Sequence, residues 1–208
     1  LGNTDLLLAI IKLIEDSRNA ENDILNVGVQ AILLVEDSVR YTSAYLPNLY
    51  RIILEQSNEF VKEALNEHQQ MLRRRGRPKI LLTKNYSEAI SNYKKYKGHI
   101  LGIISDVSYK TKPNRRDTKT KAGLRLCRLV KEDDPNLPVL LQSSDVNNAA
   151  LARELDAGFL HKYSENLSVE LKEYMLKNFG FGEFVFRDPE SLKERCIAVN
   201  LKSLQEMI

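Results

Sequence analysis

The chain has 208 residues, 43% of them apolar, enough to close the core of one full domain and carry extensions. Its 31 basic and 28 acidic residues leave a net charge of only +3, which excludes the one-sided charge of a protein built around nucleic acid or an anionic membrane. Two cysteines, Cys127 and Cys196, have neither metal-ligand spacing nor a framework, so a disulfide scaffold and a thiolate zinc site are excluded and a reducing, cytoplasmic compartment is expected.

The first predicted element is a helix over residues 4–20. Its rows Leu6, Ile10, Leu13 and Leu7, Ile11, Ile14 adjoin, so it wants burial on this domain or on a module upstream. The apolar stretch Asp5 to Ile14 is too short to span a bilayer and lacks the basic flank and cleavage site of a signal peptide. A strand Val29 to Val35 follows, then a long helical segment from about Val39 to Arg74, either one helix or a hairpin. Within it Leu46, Leu49, Ile53, Phe60, Ala64 and Met71 fall on one helical face. That stripe fits a helix packed on its own sheet and a partner or homodimer helix equally well. Next come a strand Lys79 to Thr83, a helix Ser87 to Lys97 and a strand Ile100 to Ser105. A long basic loop, Val107 to Lys121, leads to a helix Ala122 to Glu132 with Leu126, Leu129 and Val130 on one side. Pro138 opens a strand, Asn147 to Leu155 is a helix, and Gly158 to His161 the last long-range strand. Ser164 is expected to cap a closing helix to about Lys177. Glu183 to Arg187 and Arg195 to Val199 alternate like a hairpin, and Leu201 to Met207 reads as a short helix.

Four of the apolar strands run straight into polar residues with distinct chemistry. Val35 is followed by Glu36-Asp37, Ser105 by Asp106, Gln142 by Ser143-Ser144, and His161 by Lys162. Continuous rather than alternating apolar runs are those of strands buried on both faces, as in a parallel sheet, whose carboxyl ends share one edge. Three acids, a hydroxyl and a lysine are therefore expected in one crevice. Neighbouring carboxylates repel, so either one takes up a proton or a cation joins them. Oxygen-only ligands suit a hard ion such as Mg²⁺, held by Glu36, Asp37 and Asp106. A carboxylate is also a nucleophile that can carry an acyl phosphate, and Asp106, at the end of the central run, fits that role. Ser143 and Lys162 would then bind the phosphoryl oxygens.

Glu36-Asp37, Asp106, Ser143 and Lys162, at the ends of the first, third, fourth and fifth strands, resemble the receiver domain of two-component response regulators over about Val29 to Gly180. The resemblance implies a flavodoxin-like α/β fold with five parallel strands in the order 2-1-3-4-5, here with a long helical insertion after the first strand and small terminal extensions. It implies Mg²⁺ on Glu36, Asp37 and Asp106, phosphorylation of Asp106 by a histidine kinase or phosphotransfer protein, and switching through Ser143 and the aromatic Phe159. The domain division that follows is 1–28 for an amino-terminal helix and linker, 29–180 for the receiver domain, and 181–208 for a hairpin and helix extension. Lys162 is followed by Tyr163 where the family often has proline. The long first helix, the run Asn66-Glu-His-Gln-Gln-Met-Leu-Arg73 and the tail Asn178 to Arg187 are similar to the receiver-like amino-terminal region of bacterial proteins related to phosphoenolpyruvate synthase and pyruvate phosphate dikinase. That narrower likeness implies a regulatory piece of a longer polypeptide with a catalytic domain downstream, and the opening Leu1 in place of methionine is expected to mark a boundary or processing. Two other readings stay open: a pseudo-receiver interaction module working through its long helix without phosphorylation, and a hydrolase of the haloacid dehalogenase type. The latter wants a second aspartate two residues after the nucleophile, where this chain has Ser108.

Other signals carry less. Arg75-Gly76-Arg77-Pro78 matches a minor-groove hook but runs directly into a strand, whereas such hooks need an extended segment, so nucleic acid is not expected as a partner. The basic loop reads as a solvated segment near an acidic pocket. His68, His99 and His161 are scattered, and the sequons at Asn85 and Asn166 have no secretory signal beside them.

Overall fold

The computed structural model describes residues 4–62, 77–112, 120–179, 184–187 and 194–198. The main body runs α1 (Thr4–Ala20), β1 (Ala31–Val35), α2 (Val39–Lys62), β2 (Lys79–Thr83), α3 (Tyr86–Lys95) and β3 (Ile100–Asp106), then α4 (Ala122–Asp133), β4 (Val139–Ser143), α5 (Asn148–Glu154), β5 (Gly158–His161) and α6 (Leu167–Asn178). The five strands form one sheet in the order β2-β1-β3-β4-β5, every pair parallel. This is the flavodoxin-like arrangement expected from the strand and helix alternation. A separate antiparallel pair, β6 (Phe184–Arg187) and β7 (Glu194–Ala198), forms the expected hairpin.

The pleat sends alternate residues of each strand into two cores. Leu33, Val35, Ile103, Val139 and Leu141 pack against Ala89 and Tyr93 of α3, Leu126 and Val130 of α4, and Ala152 of α5. Ile32, Leu34, Ile80, Ile104 and Leu140 pack against Ala9 of α1, Leu46, Leu49 and Ile53 of α2, and Leu171 and Met175 of α6. Helices cover both faces, which is why β1 is buried along its whole length and its sequence shows no alternation.

The stripe on the long helix therefore resolves in favour of the chain's own sheet. Leu49 and Ile53 are completely buried and Leu46 nearly so, so these three residues offer nothing to a second copy. Phe60, Ala64 and Met71 lie outside the described side chains, as do Arg75 and Gly76 of the hook-like run, His68, Cys196, the middle of the basic loop and the expected helix Leu201 to Met207.

The amino-terminal helix packs on this domain through one buried carboxylate. Asp16, on the same face as Ala9 and Ala20, is fully buried. It accepts hydrogen bonds from both terminal nitrogens of Arg77 (2.7 and 3.1 Å), the Tyr50 hydroxyl (2.8 Å) and the Ile80 amide (3.0 Å), with Lys79 Nζ 3.8 Å away. Arg77 is thus spent inside the fold, 5% exposed, which removes it from any minor groove. The opposite face of α1 leaves Leu7, Leu8, Ile10, Ile11 and Ile14 exposed.

Element ends moved where side chains cap. The helix expected from Ser87 starts at Tyr86 because Asn85 accepts from the Glu88 amide (3.0 Å) while Glu88 accepts from the Lys84 amide (3.1 Å). Ser164 does not cap α6, which begins at Leu167 behind Asn166. It accepts from the Asn166 amide (3.2 Å) and donates to Glu170 (2.6 Å), organising the turn before the helix.

Candidate functional site

Four parallel strands deliver the site to the carboxyl edge of the sheet. β1 continues into Glu36, whose amide still pairs with the Thr83 carbonyl (3.0 Å), so its side chain is fixed by the sheet. Ser38 then turns the chain into α2 and its amide donates to Glu36 Oε1 (3.1 Å). Asp106 is the last residue of β3, in register with Gln142 of β4. Ser143 ends β4, and its carbonyl accepts from the Lys162 amide (2.9 Å), which places Lys162 just beyond β5.

The centre of the site is the Lys162 ammonium, which donates to Glu36 Oε2 and Asp106 Oδ2, each at 2.7 Å. Its side chain is 2% exposed and that of Glu36 1%. Burial pushes the Glu36 carboxyl above its ordinary value, Lys162 and the Ser38 amide pull it back, and the negative Asp106 adds to the rise. Glu36, Asp37 and Asp106 each offer one oxygen within 4.8 Å of the others. With all three ionised they carry −3 against +1 from Lys162, a net −2 in a largely buried pocket. A divalent cation balances that charge, and three carboxylate oxygens without nitrogen or sulfur are donors that fit Mg²⁺ or another hard ion.

Ser143 Oγ accepts from the Asp145 amide (3.1 Å) and from Asn148 Nδ2 (3.0 Å). Its two lone pairs are engaged, which leaves the hydroxyl proton to donate. Phe159 lies half-buried on β5, opposite Leu141 and packed on the core shared by α3, α4 and α5. The amide of Ser108, where a hydrolase of the dehalogenase type would carry its second acid, donates to Asp106 Oδ1 (3.3 Å). Gly123, on the first turn of α4, lies so close to the strand end that an added Cβ would collide with the Asp106 carbonyl oxygen and press on Val107.

Glu36, Asp37, Asp106 and Lys162 thus form one cluster at the carboxyl edge of the sheet with Ser143 on the neighbouring strand end, whereas Phe159 sits within β5, two residues before its end and packed on the core below that edge. Others were missed. Gln142 is fully buried and donates from Nε2 to Glu36 Oε2 (3.3 Å), while its Oε1 has no hydrogen-bond partner among the described residues. Tyr45 is buried beside the acids, its hydroxyl likewise without a partner among the described residues, and burial together with Glu36 and Asp106 pushes that hydroxyl far above its ordinary value. Tyr41 holds its ring centroid 4.0 Å from Lys162 Nζ. A polar Gln142 inside an otherwise apolar strand was a readable signal; the two tyrosines gave none, because helical spacing alone does not say which strand end they meet.

No family model and no curated protein matches the chain. Among solved structures it is similar to a response regulator receiver domain protein from Clostridium thermocellum, at 18% identity over 73% of this chain and 94% of that one, with a TM-score of 0.47. A response regulator receiver protein from Pseudomonas putida is similar at 19% identity over 72% and 97%, with a TM-score of 0.43. The Vibrio cholerae chemotaxis protein CheY4 is similar at 15% identity over 72% and 98%, with a TM-score of 0.46.

Proposed function

We propose that the chain is a regulatory phosphoacceptor domain of the receiver type, phosphorylated on Asp106. The observation that carries this reading is the Lys162 ammonium seated between Glu36 and Asp106 with Asp37 beside them. Ion pairing alone would balance one carboxylate against Lys162, whereas here three carboxylates converge on it and leave a charge that a cation and a phosphoryl group can use. In the reaction an Asp106 oxygen attacks the phosphorus of the donor, the bond from phosphorus to the donor atom breaks, and the electron pair leaves with the donor. Glu36, Asp37 and Asp106 would hold Mg²⁺, which when bound supplies charge neutralisation at the phosphoryl oxygens. Lys162 transfers part of its hydrogen bonding from Asp106 to a phosphoryl oxygen, and Ser143 donates its remaining proton to another. The movement of Ser143 and Phe159 that follows alters the face around β4 and β5, a local charge event read through a two-state element.

The donor class is a histidine kinase or a phosphotransfer protein, the compartment is cytoplasmic, and the output is a downstream domain or partner. Among the described residues no helix is long and apolar enough to cross a membrane. The test is incubation with acetyl phosphate and Mg²⁺. One phosphoryl group is expected by intact mass, lost in Asp106→Asn and retained in Ser143→Ala at reduced rate. Equal labelling of Asp106→Asn and the parent would overturn the assignment.

A further inference from the structure

Over the Lys162 ammonium lies an aromatic ring that phosphoryl transfer itself does not use. Tyr41, in the first turn of α2, has its ring centroid 4.0 Å from Lys162 Nζ, well inside cation–π range. Its hydroxyl donates to the Tyr163 hydroxyl at 2.9 Å, the two rings being 6.5 Å apart and inclined at 57°. Tyr163 is braced edge-on by His161, with centroids 5.7 Å apart and planes at 78°. A continuous bridge therefore runs from the start of α2 to the loop between β5 and α6. Tyr163 is 60% exposed, whereas the Lys162 side chain next to it is 2% exposed. The outer end of the bridge stands in water and the inner end covers a buried charge.

We propose that Tyr41 and Tyr163 form a clasp over the acid pocket. The Tyr41 ring seats the Lys162 ammonium against Glu36 and Asp106, and the bond between the two hydroxyls holds that ring down. Tyr41 is a positioning residue, acting through Lys162. Opening the clasp frees Lys162 to reorient and admits water or a phosphodonor to Asp106. The gating role rests on the phosphoacceptor reading; the seating of Lys162 does not.

The experiment compares the parent with Tyr41→Phe, Tyr163→Phe and Tyr41→Ala in two measurements. The first is the rate at which Lys162 is reductively methylated, read by peptide mass, which needs no phosphorylation. Each phenylalanine variant loses the hydroxyl–hydroxyl bond but keeps the ring, so Lys162 is expected to react about fivefold faster. Tyr41→Ala loses the ring as well and should gain a further factor of about five, so that phenylalanine partly rescues what alanine exposes. The second measurement is labelling by acetyl phosphate and loss of the label by hydrolysis, both expected to quicken in Tyr163→Phe. If the parent labels but Tyr163→Phe labels and hydrolyses at the parent rate, the gating role is overturned. If the parent does not label, the phosphoacceptor reading fails and the clasp stands or falls on methylation alone. Lys162 reacting equally fast in all four proteins would overturn the clasp whatever the labelling result.

Discussion

Removing the positive charge at position 162 tests the electrostatic account of the site directly. Lys162→Met keeps the length and apolar stem of the side chain and deletes the ammonium that lies 2.7 Å from both Glu36 and Asp106. At an effective dielectric near 20, each contact at that distance is worth about 6 kcal/mol of gross attraction. Desolvation of the buried ions offsets several kcal/mol of it, and breaking such a pair by removing one partner costs about 3–5 kcal/mol. A domain of this size loses roughly 2–4 °C per kcal/mol, so the melting midpoint should fall by about 6–20 °C while the chain still folds. The pH dependence has a definite sign. Glu36 already sits above its ordinary 4.5 in the folded state through burial, and Lys162 opposes that rise, so the variant raises it further. A carboxyl whose folded value is raised adds no penalty below 4.5 and destabilises as pH climbs through the folded value. The deficit should therefore be largest at neutral pH and shrink on acidification towards 4.5. Mg²⁺ should replace the missing charge, restoring about 2.7 kcal/mol at a hundredfold excess over its dissociation constant. Thermal unfolding of parent and variant, with chelator or with Mg²⁺ at two pH values, measures all three. A deficit under about 1 kcal/mol, unchanged by acid and by Mg²⁺, would show Lys162 behaving as an ordinary surface ion-pair partner and would refute the reasoning.

Two further outcomes follow from the same physics. Glu36→Gln removes a buried carboxyl whose pKa is raised, so without metal the variant's stability relative to the parent should be most favourable at neutral pH and decline on acidification towards 4.5; calorimetry should find its Mg²⁺ binding abolished, and a relative stability that rises on acidification would contradict the sign. Asp16→Asn leaves the buried Arg77 with Glu15 at 3.3 Å as its remaining anionic partner, while Lys79 keeps Asp23 at 2.7 Å, so unfolding should lose about 3 kcal/mol, the lower end of the cost of breaking a buried pair, and α1 should become open to proteolysis first; unchanged protection of α1 would mean that apolar packing alone docks it.

The site was legible because a parallel sheet converts sequence order into spatial convergence. Reading Glu36, Asp106, Ser143 and Lys162 at the ends of apolar runs was enough to place them on one edge, since every strand of such a sheet ends on the same side. What surrounds that edge was not legible. Tyr41 meets Tyr163 across 122 positions, and nothing in the helical pattern of α2 distinguishes the residue that faces Lys162 from its neighbours a turn away. Asp16 escaped for a different reason. Of the leucine and isoleucine rows in α1 only Leu13 packs on the core, at its edge, whereas the fully buried face is Ala9, Asp16 and Ala20, two small residues and one acid. Small residues let the helix approach, and the acid is tolerated there only because Arg77, Tyr50 and a strand amide satisfy it.

The stripe on α2 shows how the undecided part could have been decided by counting faces rather than by periodicity. Leu46, Leu49 and Ile53 at helical spacing suit an oligomer seam and a core equally. The strands, however, carry apolar residues on both faces, so each face of the sheet needs its own helical layer. α3, α4 and α5 supply one. On the other, α6 covers Leu140 and Leu160 at the β4–β5 end, and Ile32, Leu34 and Ile80 at the opposite end would stand bare without α2 and α1. Burying a leucine or isoleucine side chain is worth about 1.5–3 kcal/mol, so leaving three strand residues uncovered to keep a helix face free for a partner would cost roughly 4.5–9 kcal/mol, a large share of the roughly 5–15 kcal/mol by which a typical domain is stable. That demand commits the inner face of α2 to the sheet, and with it fixes the first turn of the helix, where Tyr41 meets Lys162, against the acid pocket.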